Sequence, residues 1–361
     1  MKTLLEITSY GVLSLLLTLI FIPFIRSMAM KVNLVDKPNY RKVHLNAVPL
    51  IGGITIALVV FMVVLISGFR EVFIKEYLSV FTGAFILLIV GIIDDKNDIP
   101  AKYRLAIQLI LAFIIAFSGI RLTSLYGLFG IYEINVWIQY VLTILIITGV
   151  VNAFNLMDGV DGLIGGISLL GFVLFLFSAL YFKDYFLVFL STVFMGSIIG
   201  FLKFNLGKKK IFMGDSGSLF IGFIMVTEAI KFLQKNAMLN HKTPDMVVLL
   251  LIVFFSIPVF DSLRVYLGRI KKGKSPFSAD RSHLHHLLLG IGLTHKKVTV
   301  VISCICLSLV MLGLSLKFFA SITLIILILI TAFSIIVRLL LMMNNLNSWR
   351  DKIREMECSA R

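Results

Sequence analysis

The chain has 361 residues, of which 59% are hydrophobic and only 15% charged, with a mean hydropathy of +1.02. A soluble protein carries about a quarter charged residues, so this composition excludes a soluble globular domain and makes lipid the expected solvent. The net charge of +15 would suggest a nucleic-acid partner in a soluble chain, but in a membrane chain the placement of the basic residues outweighs their sum, and no nucleic-acid partner is expected.

Apolar runs long enough to approach a bilayer crossing fall at Leu4–Met28, Val48–Gly68, Leu78–Ile93, Leu105–Gly119, Trp137–Val151, Leu163–Phe182, Tyr185–Leu202, Ser218–Phe232, Met246–Leu267, Val298–Leu316 and Phe319–Met342. The expected fold is all-α, a polytopic transmembrane bundle crossing the bilayer ten or eleven times. The first run is too long for the core of a secretory signal and is read as a retained helix. Residues 1–343 form one transmembrane catalytic domain, and 344–361 a basic cytoplasmic tail. Of the three cysteines, Cys304 and Cys306 lie in an apolar run and Cys358 in the tail, which gives no disulfide framework.

With the N-terminus placed outside, most Lys and Arg fall in alternate loops and in the tail, which the positive-inside rule makes cytoplasmic. Five polar clusters land on that same side. Asp36–His44 is a basic loop followed by Gly52-Gly53, where missing side chains permit close approach to a neighbour or a ligand. Asp94-Asp95 ends the third run, where the helix dipole disfavours acids. The pair therefore needs a cation, either a metal or the nearby Lys102 and Arg104.

Asn155, Asp158 and Asp161 recur every third residue, so a helical turn would gather them on one side. Their loop holds no Lys or Arg, and acids at a membrane edge are costly without a partner. A divalent metal is the natural one, and hard oxygen ligands suit Mg²⁺, with Mn²⁺ as the alternative. Gly214-Asp215-Ser-Gly-Ser218 opens a helix whose N–H groups suit phosphate, while an ordinary N-cap is compatible with the same residues. Arg281, His283, His285 and His286 sit in a basic loop without cysteine, which favours an anion over zinc. Asp261 and Arg264 read as a one-turn ion pair, Glu228 as packing or a cavity wall, and His295 as an isolated residue without a role.

The order Asp94-Asp95, Asn155-Leu-Met-Asp158-Gly-Val-Asp161-Gly, Gly214-Asp215-Ser-Gly-Ser, Ser282-His283-Leu-His285-His286 resembles the polyprenyl-phosphate N-acetylhexosamine-1-phosphate transferase family over nearly the whole chain. Ala47-Val-Pro-Leu-Ile-Gly-Gly53 departs from the Gly-Thr-Pro-Thr-Met-Gly-Gly of the peptidoglycan branch. Asp98-Ile-Pro-Ala-Lys102-Tyr-Arg104 and Arg281–His286 look closer to the branch that starts O-antigen, teichoic-acid or capsule chains.

The resemblance implies a bacterial plasma-membrane enzyme with a cytoplasmic site. It would move a sugar 1-phosphate from a UDP-N-acetylhexosamine, usually UDP-N-acetylglucosamine, to undecaprenyl phosphate, with Mg²⁺ as cofactor and a homodimer admitted. It implies Asn155 and Asp215 as metal ligands, with Asp94, Asp95, Asp158 and Asp161 as catalytic carboxylates. Lys102, Arg104, Arg281, His283, His285 and His286 would bind substrate. Direct attack by the lipid phosphate and a covalent aspartyl route both stay open, direct attack being the physical default. A polytopic transporter is the competing reading; its acids belong near mid-bilayer, often within repeats.

Overall fold

The computed structural model describes residues 2–37, 46–239, 244–275 and 282–359. Arg281 and most of the first basic cluster, including His44, lie outside them. Helix α1 (Lys2–Lys31) leads through strand β1 (Val35–Asp36) to β2 (Val48–Pro49) and α2 (Gly52–Ile66). A short α3 (Arg70–Val72) runs through a π-helical turn, Phe73–Tyr77, into α4 (Leu78–Asn97), which is followed by α5 (Ala101–Phe117). A hairpin of β3 (Ser124–Leu128) and β4 (Ile131–Glu133) precedes α6 (Val136–Met157), α7 (Leu163–Tyr181) and α8 (Tyr185–Asn205). Then come α9 (Gly214–Leu239), α10 (Pro244–Lys271), the short α11 (Leu284–Gly290), α12 (His295–Leu316) and α13 (Ile322–Ser359).

Each of the eleven apolar runs is a helix. Among the described residues, nine are long and apolar enough to cross a membrane, and α2 is a shorter apolar helix. Helices suit such runs because lipid cannot satisfy backbone N–H and C=O groups, so each segment must satisfy its own. Among the described residues the strands add two antiparallel pairs, Val35–Asp36 with Val48–Pro49 and the β3–β4 hairpin. The hairpin turn uses positive φ at both Phe129 and Gly130, which suits a tight reversal between twisted strands. Residues 344–359, expected as a tail, continue α13 as helix.

Helix α9 is the hub: 94% of its most apolar window is buried, against 22% for α1 and 28% for α13. It packs against α2, α4 and α6. The approach is close because glycines face it. A Cβ added at Gly53 or at Gly91 would overlap the backbone of Gly217 or of Ser216. The Gly52-Gly53 pair thus serves a neighbouring helix and not a ligand. Backbone hydrogen bonds from Gly52 to Phe212 and from Gly53 to Met213 tie the starts of α2 and α9 together, which fixes one end of the bundle.

Candidate active site

The site forms where α4 ends and α9 begins. Helix α4 stops because Asp98 takes a left-handed φ of 55° and Pro100 starts α5. The turn is closed by Ile99 N, which donates to Asp94 Oδ1 at 2.6 Å. Arg104, one turn into α5, then bridges two carboxylates with a single nitrogen. Nη1 donates to Asp94 Oδ2 and, at 2.5 Å, to Asp215 Oδ2. One guanidinium therefore joins residues 121 positions apart in sequence. Of the two cations expected to neutralise Asp94-Asp95, Arg104 pairs with Asp94 alone. Lys102 is exposed and lies 5.0 Å above the Tyr103 ring instead.

Asp95 points the other way and receives Asp215 N at 2.8 Å and Ser216 N at 3.2 Å. The helix start expected to greet a phosphate is thus already occupied, by a carboxylate from α4. This also resolves the awkward dipole of α4: Asp95 escapes its own negative helix end by capping the positive end of α9. Gly214 makes room, since it holds φ at +75° and a Cβ there would stand 2.5 Å from Asp95 Oδ2.

Asn155, in the last turn of α6, donates Nδ2 to Asp215 Oδ1 at 2.9 Å and to Ser218 Oγ at 3.1 Å. It orients Asp215, and its own carbonyl oxygen is left over. Helix α6 ends at Met157, so the expected single-sided triplet splits. Half-buried Asp158 stays with the cluster, and among the described residues it pairs with no cation and accepts no hydrogen bond. Burial first, then the charges of Asp95 and Asp161, push its carboxyl up to about 8.

Asp161 turns outward to Lys210 Nζ at 2.6 Å and His295 Nδ1 at 3.2 Å. Burial raises its carboxyl, but hydrogen bonds from His295 and Lys210 outweigh burial and hold it below the ordinary 3.8. The loop itself holds no Lys or Arg, as its sequence shows, but the inference that its acids lack a protein cation fails for Asp161, whose partners come from elsewhere in the chain. His295 has a role after all.

The histidine segment closes the same end. Asp261, on α10, accepts from Arg264 at 2.6 Å and from Leu284 N at 3.0 Å, with His283 Nδ1 at 2.9 Å. The expected Asp261–Arg264 pair is thus the foot of a larger clamp on His283. His285 is buried against the loop after Asp158; a Cβ on Gly159 would come within 2.5 Å of its Nε2. Burial, then His286 and His283, lower His285 to about 3, a direction that favours the neutral ring, which offers hydrogen bonds and no charge. His286 lies beside it, ring centroids 4.3 Å apart. Among the described residues, His283 Nε2 and His285 Nδ1 are buried without a hydrogen-bond partner.

Asp94 and Asp215 share the Arg104 guanidinium, Asp95 caps the same helix start, and Asp158 adds a fourth carboxylate whose nearest charged influences are Asp95 and Asp161. Buried acids in that excess need further positive charge.

Comparison with known proteins identifies the family. The model of glycosyl transferase family 4 matches residues 77–233. A probable undecaprenyl-phosphate N-acetylglucosaminyl 1-phosphate transferase of Bacillus subtilis (strain 168) is 36% identical over 295 residues, 81% of this chain and 79% of that protein. The chain belongs to glycosyl transferase family 4. Two further relatives of this family 4 protein are undecaprenyl-phosphate alpha-N-acetylglucosaminyl 1-phosphate transferases. That of Yersinia pestis is 33% identical, covering 82% of this chain and 81% of its own. That of Escherichia coli (strain K12) is 31% identical, covering 80% and 78%. The family match spans Asp94 through Ser218, the part of the chain that builds the carboxylate cluster. A transporter reading finds no support: the relatives are named as transferases, and the acids sit at one end of the bundle.

Proposed function

We propose that this protein transfers N-acetylglucosamine 1-phosphate from UDP-N-acetylglucosamine to undecaprenyl phosphate in a bacterial plasma membrane, releasing UMP. What carries the reading is the set of transferase names borne by relatives matched over four fifths of the chain. In the reaction an oxygen of the lipid phosphate bonds to the sugar-linked phosphorus of the donor, and the bond from that phosphorus to the bridging oxygen of the diphosphate breaks. The bridging oxygen leaves with UMP. The attacking oxygen is already anionic, so the protein has mainly to neutralise and position.

A divalent cation fits the donor set. The four carboxylates outnumber the one arginine, their oxygens are hard ligands of the kind Mg²⁺ prefers, and the Asn155 carbonyl oxygen is free to face it. Asp215 and Asn155 would hold the ion, with Asp94, Asp95 and Asp158 around it. When bound, it would offset the charge of the diphosphate. Arg104 already spans Asp94 and Asp215 and is placed to shift toward an incoming phosphate. His283 Nε2 and His285 Nδ1, buried without partners among the described residues, would hydrogen-bond the donor. Arg281 would join them.

The site faces the cytoplasm on this reading, because the basic residues favour that side and a soluble UDP-sugar must reach it. The chain would act as a homodimer. The test is UMP release by purified protein from a donor panel in the presence of undecaprenyl phosphate, with Mg²⁺ or with chelator. Release from UDP-N-acetylglucosamine that stops on chelation supports the reading. No release from any UDP-N-acetylhexosamine would sink it.

A further inference from the structure

Two basic segments far apart in the sequence meet beside the carboxylate cluster. Lys208-Lys209-Lys210 lies in the turn between α8 and α9, and His295-Lys296-Lys297 opens α12. Both reach the same oxygen: Lys210 Nζ stands 2.6 Å and His295 Nδ1 3.2 Å from Asp161 Oδ2. Thr299 Oγ1, one turn into α12, donates to the Asp161 carbonyl at 2.7 Å. Asn205 fixes the other side, accepting from Gly162 N at 2.5 Å and donating to Ile211 O at 2.8 Å. The lysine turn, the loop 158–162 and the start of α12 are therefore tied into one rim.

That rim carries positive charge in surplus. Among the described residues Asp161 is the one carboxylate that pairs with either segment, and it takes Lys210 and His295. Lys208, Lys209, Lys296 and Lys297 are exposed and pair with no carboxylate among the described residues. The positive-inside preference accounts for their side of the membrane but not for their place over the bundle. Cations that serve a lipid surface belong where a bundle meets lipid. Lys208 and Lys209 instead join α8 and α9, whose most apolar windows are 72% and 94% buried, so they stand over the protein interior.

We propose that Lys208, Lys209, Lys296 and Lys297 form a collar that captures the diphosphate of a soluble nucleotide and delivers it to the carboxylate cluster. The inference rests on the reading of the donor as a UDP-sugar. The carboxylates of the cluster outnumber its one guanidinium, so at a distance the site repels the anion it must receive. Exposed cations on the approach reverse that field, and such steering raises association rates about 10- to 1000-fold at low salt. With a screening length of about 10 Å at 0.1 M, lysines gathered around one aspartate act as a single patch. Asp161, three residues after Asp158, sets that patch against the cluster. Lysine suits the task, because a flexible point charge holds and releases phosphate without the fixed fork geometry of arginine.

The experiment uses the full-length protein in detergent, with Lys208→Gln, Lys209→Gln, Lys296→Gln and Lys297→Gln combined. Initial rates of UMP release should show a KM for the UDP-sugar raised at least about tenfold at low salt, with kcat and the KM for undecaprenyl phosphate close to wild type. The wild-type KM should rise toward that of the variant as NaCl nears 1 M, where the screening length is about 3 Å. Lys75→Gln with Lys317→Gln removes two cations from the opposite end of the bundle, before α4 and after α12, and should leave the KM unchanged. Titration calorimetry with UDP reads the collar without turnover, and the fourfold variant should bind about tenfold more weakly. Reconstitution in phosphatidylglycerol or phosphatidylcholine vesicles separates nucleotide from lipid phosphate. Unchanged KM and UDP affinity, no UDP binding by the wild type, a raised KM for undecaprenyl phosphate instead, or an effect confined to phosphatidylglycerol vesicles would overturn the proposal. Weakened UDP binding in a protein that releases no UMP would sink the transfer reading and leave the collar standing, so the two fail separately.

Discussion

Replacing Gly91 by alanine should cripple the site without touching any charged residue. Gly91 lies one turn before Asp94-Asp95, where α4 meets the first turn of α9. An added Cβ would sit 2.7 Å from the carbonyl carbon of Asp215 and closer still to the Ser216 backbone. Ser216 Cα would be nearest, at 2.3 Å, so reaching the 3.4 Å at which ordinary contact begins requires a parting of about 1.1 Å, and neither backbone can swing aside as a side chain would. Overpacking of this kind costs about 1–3 kcal/mol.

The chemical consequence is larger than the loss of stability. Asp95 reaches Asp215 N at 2.8 Å and Ser216 N at 3.2 Å, and an opening of about 1.1 Å takes both bonds beyond hydrogen-bond range. Asp215 then shifts relative to Arg104 and Asn155. A displacement near 1 Å at a reacting centre costs on the order of 100-fold in turnover. The assay pairs UMP release with thermal melting in detergent. Gly149→Ala is the control, since a Cβ there meets nothing within 4 Å and should leave both unchanged. Wild-type turnover and melting in Gly91→Ala would refute the claim that close approach of α4 and α9 sets the carboxylate geometry.

Arg104→Ala should abolish turnover and lower the melting temperature, because Asp94, 3% exposed at its side chain, loses its cation and a broken buried pair costs about 3–5 kcal/mol. Arg104→Lys should recover part of both, as one nitrogen makes the bridge. Asp161→Asn should remove an acid-labile part of stability, read from melting across pH. The folded carboxyl lies below its ordinary 3.8, so its contribution is complete above that value and fades as pH falls through the lower folded value; the variant should lack this decline. Gly159→Ala should push against His285 and raise the KM for the UDP-sugar more than it lowers kcat, as judged by initial rates. An unchanged KM would detach His285 from donor binding.

The membrane class, the helices and the order of the motifs are legible in the sequence because each rests on local composition or spacing. Contacts between distant segments are not. Asp94-Asp95 reads as a pair with one task, yet one residue bridges to α5 and the other caps α9, since adjacent residues on a helix point about 100° apart. Asn155, Asp158 and Asp161 read as one face only while the helix continues, and α6 stops at Met157. His295 carries no motif, and only the folding of α12 against the loop after α6 brings it to Asp161. The glycines opposite α9 could signal close packing or a ligand surface equally well, and only the packed helices decide.

The most direct test of the account follows the two phosphorus atoms of the donor. UDP-N-acetylglucosamine labelled at the sugar-linked phosphate should pass its label to the undecaprenyl lipid in purified protein, while label at the uridine-linked phosphate should leave as UMP. Transfer of sugar without the labelled phosphate, or retention of both labels in the soluble fraction, would contradict it.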